Sequence, residues 1–223
     1  MYKRHPLNQN LSLVTGTEWN FLPLLPTCSP YIEQYLERTH VTMRKAVERY
    51  RRTTALRVDL RMCADSPEPD SKVISRFHES LQSKINQHLH RKSREGKRVH
   101  TCELRYVWVR ERDSARHRHY HCCIFLNGDA FHHLGRFGTA IEQQGTRNMA
   151  DRIRSAWASA LGCSWEKSRG LVHYARNGIY RIDANSPDFY WQFIDLFRRL
   201  SYFAKAETKI FGDGKNNFGC SRR

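Results

Sequence analysis

Negative charge is scarce in this sequence: 22 Asp and Glu stand against 38 Lys and Arg, a formal net charge of +16 over 223 residues. Such an imbalance selects polyanionic partners, with nucleic acid first among them and a merely basic soluble protein as the plain alternative. Long apolar runs are missing too. Nothing approaches the roughly 18 residues needed to span a bilayer, which argues against an integral membrane protein. Met1 to Asn10 lacks the apolar stretch of a secretory signal, so the expected compartment is the cytoplasm. No internal repeat, low-complexity block or helicase-type phosphate loop is present. The seven cysteines cannot all pair within one chain, and Cys122 and Cys123 are adjacent in a strand-like run. They read as reduced thiols. A zinc site on either is disfavoured, because neither belongs to a Cys-x-x-Cys pair and strand alternation sends them to opposite faces.

What remains suffices for a core: 39% of residues are hydrophobic and 12% aromatic. Ile32, Tyr35, Leu36, Met43, Ala46, Val47 and Tyr50 follow helical spacing between Ser29 and Arg51. Leu56 to Met62 alternates apolar with charged residues, as a half-buried strand does. Ile74, Phe77, Leu81, Ile85 and Leu89 form a second helical stripe, capped by Asp70 or Ser71. Cys102–Glu111 and His119–Asn127 read as a hairpin, and residues 148–161 as a helix. Leu171–Tyr174 and Gly178–Ile182 read as two short strands around the turn dipeptide Asn177-Gly178. A long helix then runs from Ser186-Pro187-Asp188 to about Thr208. The pattern predicts an α+β fold, with a mainly antiparallel central sheet flanked by helices. The expected organisation is a helical extension over residues 1–53, a main domain over 54–210 and an irregular tail over 211–223.

The densest chemistry lies in the run from Arg116 to Asn127. On a strand, residues two apart share a face, so His119 and His121 project together and could share one metal ion. Glu111, at the end of the partner strand, could join them. Two nitrogens and one oxygen suit Mn²⁺ or Zn²⁺, and Mg²⁺ where water and substrate complete the shell. Glu103 has the same parity as Glu111 but lies about 26 Å further along an extended strand, too distant to serve. The second signal is Leu200 to Lys209. On a continuous helix Tyr202 falls off the apolar stripe and shares its face with Arg198, Lys205 and Lys209, a phenol among cations. Two basic groups read as phosphate contacts: Arg91, Lys92, Arg94, Lys97 and Arg98, and the hairpin residues Arg112, Arg116 and Arg118. A solvated charged loop is the alternative for the first of them. Trp165, Tyr174 and Trp191 are candidates for base stacking or for the core.

Taken together, the His119-Tyr120-His121 strand, a carboxylate on the preceding strand and the Tyr-x-x-Lys of Tyr202 and Lys205 resemble the HUH endonucleases, in their replication-initiator branch. More closely, Arg57-Val58-Asp59-Leu60-Arg61, Tyr106-Val107-Trp108, Ser201-Tyr202-Phe203-Ala204-Lys205 and Phe218-Gly219-Cys220-Ser221-Arg222 resemble the YagK/YfjJ family of prophages, related to the gene II replication proteins of filamentous phages. The resemblance covers roughly Thr54 to Arg222. It implies that His119, His121 and Glu111 hold Mg²⁺ or Mn²⁺ and that Tyr202 attacks a phosphodiester of single-stranded or locally melted origin DNA. Lys205 would steady the developing charge. The setting would be the cytoplasm of a bacterial host, with a host helicase for unwinding and no membrane partner. Position 206 is Ala, so the second tyrosine of two-tyrosine initiators is missing. Two other readings stay open: a DNA-binding regulator that lost the cutting, and a transposase or relaxase with the same chemistry.

Overall fold

The protein is described by a computed structural model over residues 3–62, 71–112, 118–132, 134–135 and 148–222, the side chains of Arg112 and Arg118 excepted. In chain order, β1 (Lys3–His5), β2 (Asn8–Val14), β3 (Glu18–Trp19) and β4 (Leu22–Pro23) lead through a 3₁₀ turn (Pro26–Cys28) to β5 (Tyr31–Ile32) and α1 (Glu33–Arg49). Then follow β6 (Arg52–Arg61), α2 (Val73–Arg94), β7 (Arg105–Arg112), β8 (Arg118–Asn127), α3 (Met149–Leu161) and β9 (Val172–Asp183). α4 (Phe189–Leu200), a 3₁₀ turn (Ser201–Ala204) and β10 (Phe218–Cys220) complete the chain.

The fold is α+β. A five-stranded antiparallel sheet of order β10-β7-β8-β6-β9 lies at its centre. Alternation along the strands divides the apolar side chains between two cores. On one face Ala55, Val107, Val109, Cys123 and Phe125 pack under α1, α4 and the N-terminal strands. On the other, Leu56, Val58, Leu60, Cys122, Ile124 and Leu126 pack under α2 and α3. Cys122 and Cys123 do face opposite ways. α3 begins on a capping box, in which Asn148 accepts from the Asp151 backbone and Asp151 accepts from that of Asn148.

Four expectations are corrected. Residues 3–32 are not helical; they form short strands and a 3₁₀ turn, and Leu13, Leu24, Tyr31 and Ile32 share one core with α1, α4 and the main sheet. The segments around Asn177-Gly178 are one strand rather than a hairpin, because both halves pair with β6 in the same sense. Leu56 faces Ile179 and Val58 faces Tyr174, and the surplus residues form a bulge with Asn177 at φ 53°. The last helix ends at Leu200, eight residues short of Thr208. The tail contributes β10 to the sheet instead of staying irregular. Among the described residues, no helix is long and apolar enough to cross a membrane.

Candidate metal centre and nucleophile

β8 lies between β7 and β6, and the register does the rest. Glu111 pairs with His119, and His121 pairs with Asp59. All four occupy odd positions on the face that carries Val109 and Cys123, so the site continues the α1/α4 core at one end of the sheet. The candidate ligand atoms of Glu111, His119 and His121 lie within 4.8 Å of one another. His119 Nε2 is 3.0 Å from His121 Nε2, which is 3.3 Å from Glu111 Oε2.

This donor set fits a divalent cation. The Nδ1–H of His121 donates to Asp59 Oδ1 at 2.5 Å, so Nε2, turned toward Glu111 and His119, is the atom that a cation would take in place of its proton. Asp59 is in turn flanked by Arg57 at 3.9 Å and His173 at 3.4 Å. Burial alone would weaken His121 as a base, but its bonds to Asp59 and Glu111 raise its pKa. Burial would likewise raise the Glu111 carboxyl; the His121 hydrogen bond and the Lys209 charge overcome it and hold the group well below the usual carboxylate range. Glu111 is therefore an anion at neutral pH.

The same carboxylate meets the tyrosine. Tyr202 Oη donates to Glu111 Oε2 at 3.0 Å, and the Tyr202 ring stands edge-on to His121 with centroids 5.3 Å apart. Thr208 Oγ1 at 2.8 Å and Lys209 Nζ at 2.5 Å occupy Glu111 Oε1. Burial and Glu111 raise the phenol pKa, against the opposing charge of Arg57. Tyr202 sits on the 3₁₀ turn after α4, and the N-terminal segment pins that turn. Leu25 N–H donates to Ser201 Oγ, Ala206 N–H donates to the Pro30 carbonyl, and Tyr31 bridges to Lys205.

Residues 19–221 match the model of the YagK/YfjJ C-terminal domain. The chain belongs to the YagK/YfjJ family. Among its relatives in Escherichia coli strain K12, the uncharacterized protein YagK is 37% identical over 203 residues, covering 86% of this chain and 94% of its own. The uncharacterized protein YfjJ is 34% identical over 203 residues, covering 86% and 95%. No solved structure matches.

In this member of the YagK/YfjJ family, the sequence-predicted residues divide into groups. Glu111, His119, His121 and Tyr202 converge, while Arg198 is exposed on α4 one turn before Tyr202. Lys205 follows the 3₁₀ turn and pairs with the exposed Glu207 at 3.2 Å. Lys209 is a correction: because the helix stops at Leu200, Lys209 is buried against Glu111 and does not face a phosphate. Arg91, Lys92, Arg94, Lys97 and Arg98 cluster at the C-terminal end of α2, on the other face of the sheet. That is its far end, where His88 meets Phe131 just beyond β8. Glu95 takes up part of the charge of Arg91 and Lys97. Arg116 and the side chains of Arg112 and Arg118 lie outside the described residues. Tyr174 packs beside the α2/α3 core and Trp165 is covered by Arg154, whereas Trp191 is open. Sequence reasoning missed Asp59, Arg57 and Thr208. An acid and a base alternating with apolar residues in a buried strand were the available signal for the first two.

Proposed function

We propose that this protein is a metal-dependent enzyme of the HUH type that nicks and rejoins single-stranded DNA through a 5′-phosphotyrosine on Tyr202. It would thereby start rolling-circle replication of a phage or mobile element. The observation that carries this reading is the 3.0 Å hydrogen bond from Tyr202 to Glu111, the same carboxylate that converges with His119 and His121. It sets a nucleophile beside a candidate metal site. Glu111, His119 and His121 would hold Mg²⁺ or Mn²⁺, which when bound supplies Lewis-acid polarisation of the scissile phosphate.

The residues of the chain account for the remaining chemistry. Tyr202 attacks phosphorus in line and gives up its phenolic proton to solvent water; Glu111, held well below the usual carboxylate range, orients Oη through the existing hydrogen bond. The new bond joins Tyr202 Oη to phosphorus, and the bond from phosphorus to the 3′ oxygen breaks. That oxygen takes up a proton from solvent water, matching the one that Tyr202 released, and leaves as a 3′-hydroxyl. Lys205, whose partner Glu207 is exposed and exchangeable, turns its charge to the phosphate. In the reverse step the 3′-hydroxyl attacks the phosphotyrosine and restores both the strand and the phenol. With a single tyrosine, one subunit carries one covalent strand at a time. The 3′-hydroxyl primes synthesis in the bacterial cytoplasm, and a host helicase supplies the unwinding.

The test is the polarity of the ends. Labelled single-stranded DNA from the neighbourhood of the gene, incubated with Mn²⁺, should give a 3′ end that a polymerase extends and a 5′ end blocked by protein. EDTA and Tyr202→Phe should each abolish both products. Cleavage that leaves a 5′-phosphate open to end-labelling would contradict the proposal.

A further inference from the structure

Two arginines of the main sheet are largely covered, Arg110 fully and Arg57 in part, and they differ in what they bind. Arg110 directs its guanidinium to Asp213 at 2.7 and 2.9 Å, to the Lys215 carbonyl at 3.2 Å and to Asn217 Oδ1 at 3.0 Å, which fastens the C-terminal loop. Arg57, on β6, has a side chain only 11% exposed and no comparable partner. Its Nε has no hydrogen-bond partner. Its Nη2 is 3.9 Å from Asp59 Oδ1, beyond hydrogen-bond range, and 3.5 Å from His121 Nδ1. That nitrogen already spends its proton on Asp59 and has no lone pair to accept with. A largely covered guanidinium with a buried, unpartnered Nε is costly, and such groups call for a ligand that completes their remaining donors.

Its surroundings indicate what that ligand is. The guanidinium carbon stands 5.2 Å from the centre of the Tyr202 ring and 5.8 Å from that of Phe203. Asp59 and His121 lie on the sheet beside it. Opposite Arg57 the β9 register shifts between Leu56 and Val58, so the neighbouring strand bulges where the guanidinium would need room. Charge and fork geometry fit a tetrahedral oxyanion better than a planar neutral group.

We propose that Arg57 is a further catalytic residue, whose guanidinium donates two N–H bonds to the non-bridging oxygens of the phosphodiester that Tyr202 attacks. This assignment rests on the nicking reading for its reaction, but its anion-binding half stands separately. Two measurements keep them apart. The first is binding of a fluorescent oligothymidylate in EDTA over a range of salt concentrations. Arg57→Gln should flatten the slope of log K against log salt by about 0.7, the loss of one phosphate contact on a single strand. The second is the rate of the Tyr202 adduct with Mn²⁺. It should fall by about 10²–10³-fold in Arg57→Gln. Arg57→Lys should recover the slope but little of the rate, since an ammonium lacks the fork. Both variants should melt within a few degrees of the parent. Should Arg57→Gln fail to fold, the split between slope and rate in Arg57→Lys decides. An Arg57→Gln protein with unchanged slope and rate overturns the assignment and leaves the nicking reading intact. If the parent forms no adduct on any strand, the nicking reading fails, and the slope alone then sustains or overturns Arg57 as the anion site.

Discussion

His121 can offer a cation only its Nε2, because its Nδ1 proton is committed to Asp59. Asp59 thus fixes both tautomer and ring orientation, as carboxylates behind metal-bound imidazoles do. Asp59→Ala should weaken Mn²⁺ binding by about 10–100-fold in titration calorimetry, whereas Asp59→Asn, which still accepts from Nδ1–H, should lose less. Unchanged Mn²⁺ affinity in Asp59→Ala would remove Asp59 from the centre. His119, His121 and Tyr202 were legible in the sequence because two-residue alternation and a short Tyr-x-x-Lys spacing are local patterns. Glu111 needed only the hairpin register. Asp59 and Arg57 were not legible, since nothing local says that β6 lies beside β8 on the side away from β7. Lys209 was misassigned for a different reason: its direction depends on where a helix ends.

That helix end is decided by Ser201. The segment from Phe189 to Lys209 is rich in helix-compatible residues, so its pattern extends past the true stop. The Ser201 hydroxyl bonds the Arg198 carbonyl and accepts from Leu25 N–H, an alternative to further helical pairing that involves a residue 176 positions away. The same distance effect turned β9 into an apparent hairpin. Asn177-Gly178 carries turn chemistry, but pairing with β6 on both sides overrides it. α2 contains a feature that its apolar stripe does not show. His78 is fully buried and stacks on Tyr106 at 3.5 Å, and burial pushes its pKa down to about 3. It stays neutral in the fold while the unfolded chain takes up a proton below about pH 6.5. The stability associated with this site is therefore complete above that pH and is lost progressively as pH falls toward 3. By pH 5 the loss should be about 2 kcal/mol, or roughly 4–8 °C in melting temperature for a chain of this size. His78→Phe keeps an aromatic ring on Tyr106 and should show a correspondingly smaller drop between pH 7 and pH 5. An equal drop in both proteins would show that His78 does not titrate on unfolding.

At the scale of the whole molecule, the α+β class and the alternation of sheet and helix were legible from periodicity. The N-terminal strands were not: they are two to seven residues long and bury little apolar surface until α1 and α4 cover them. The family match starts at residue 19, so it takes in β4, the 3₁₀ turn and β5 but not β1 and β2. The strands and turns before α1 hold the tyrosine turn from behind. The net charge of +16 is likewise distributed with consequences. α2 is 22 residues long, about 33 Å, and its basic end lies away from the metal centre. Neutralising Arg91, Lys92, Arg94, Lys97 and Arg98 together should weaken binding of long single strands and flatten their salt dependence. It should leave a short oligonucleotide that covers only the site unaffected. Equal losses for both lengths, by fluorescence anisotropy, would place those residues at the site instead.

In the proposed reaction Tyr202 becomes covalently joined to DNA at a centre built from Glu111, His119 and His121. Intact-protein mass spectrometry after incubation with single-stranded DNA, followed by mapping of the modified peptide, tests it most directly. A nucleotide adduct on Tyr202 is expected that forms with Mn²⁺, is absent with EDTA and is lost in His121→Ala. An adduct on another residue, or one that forms equally well in EDTA, would contradict it.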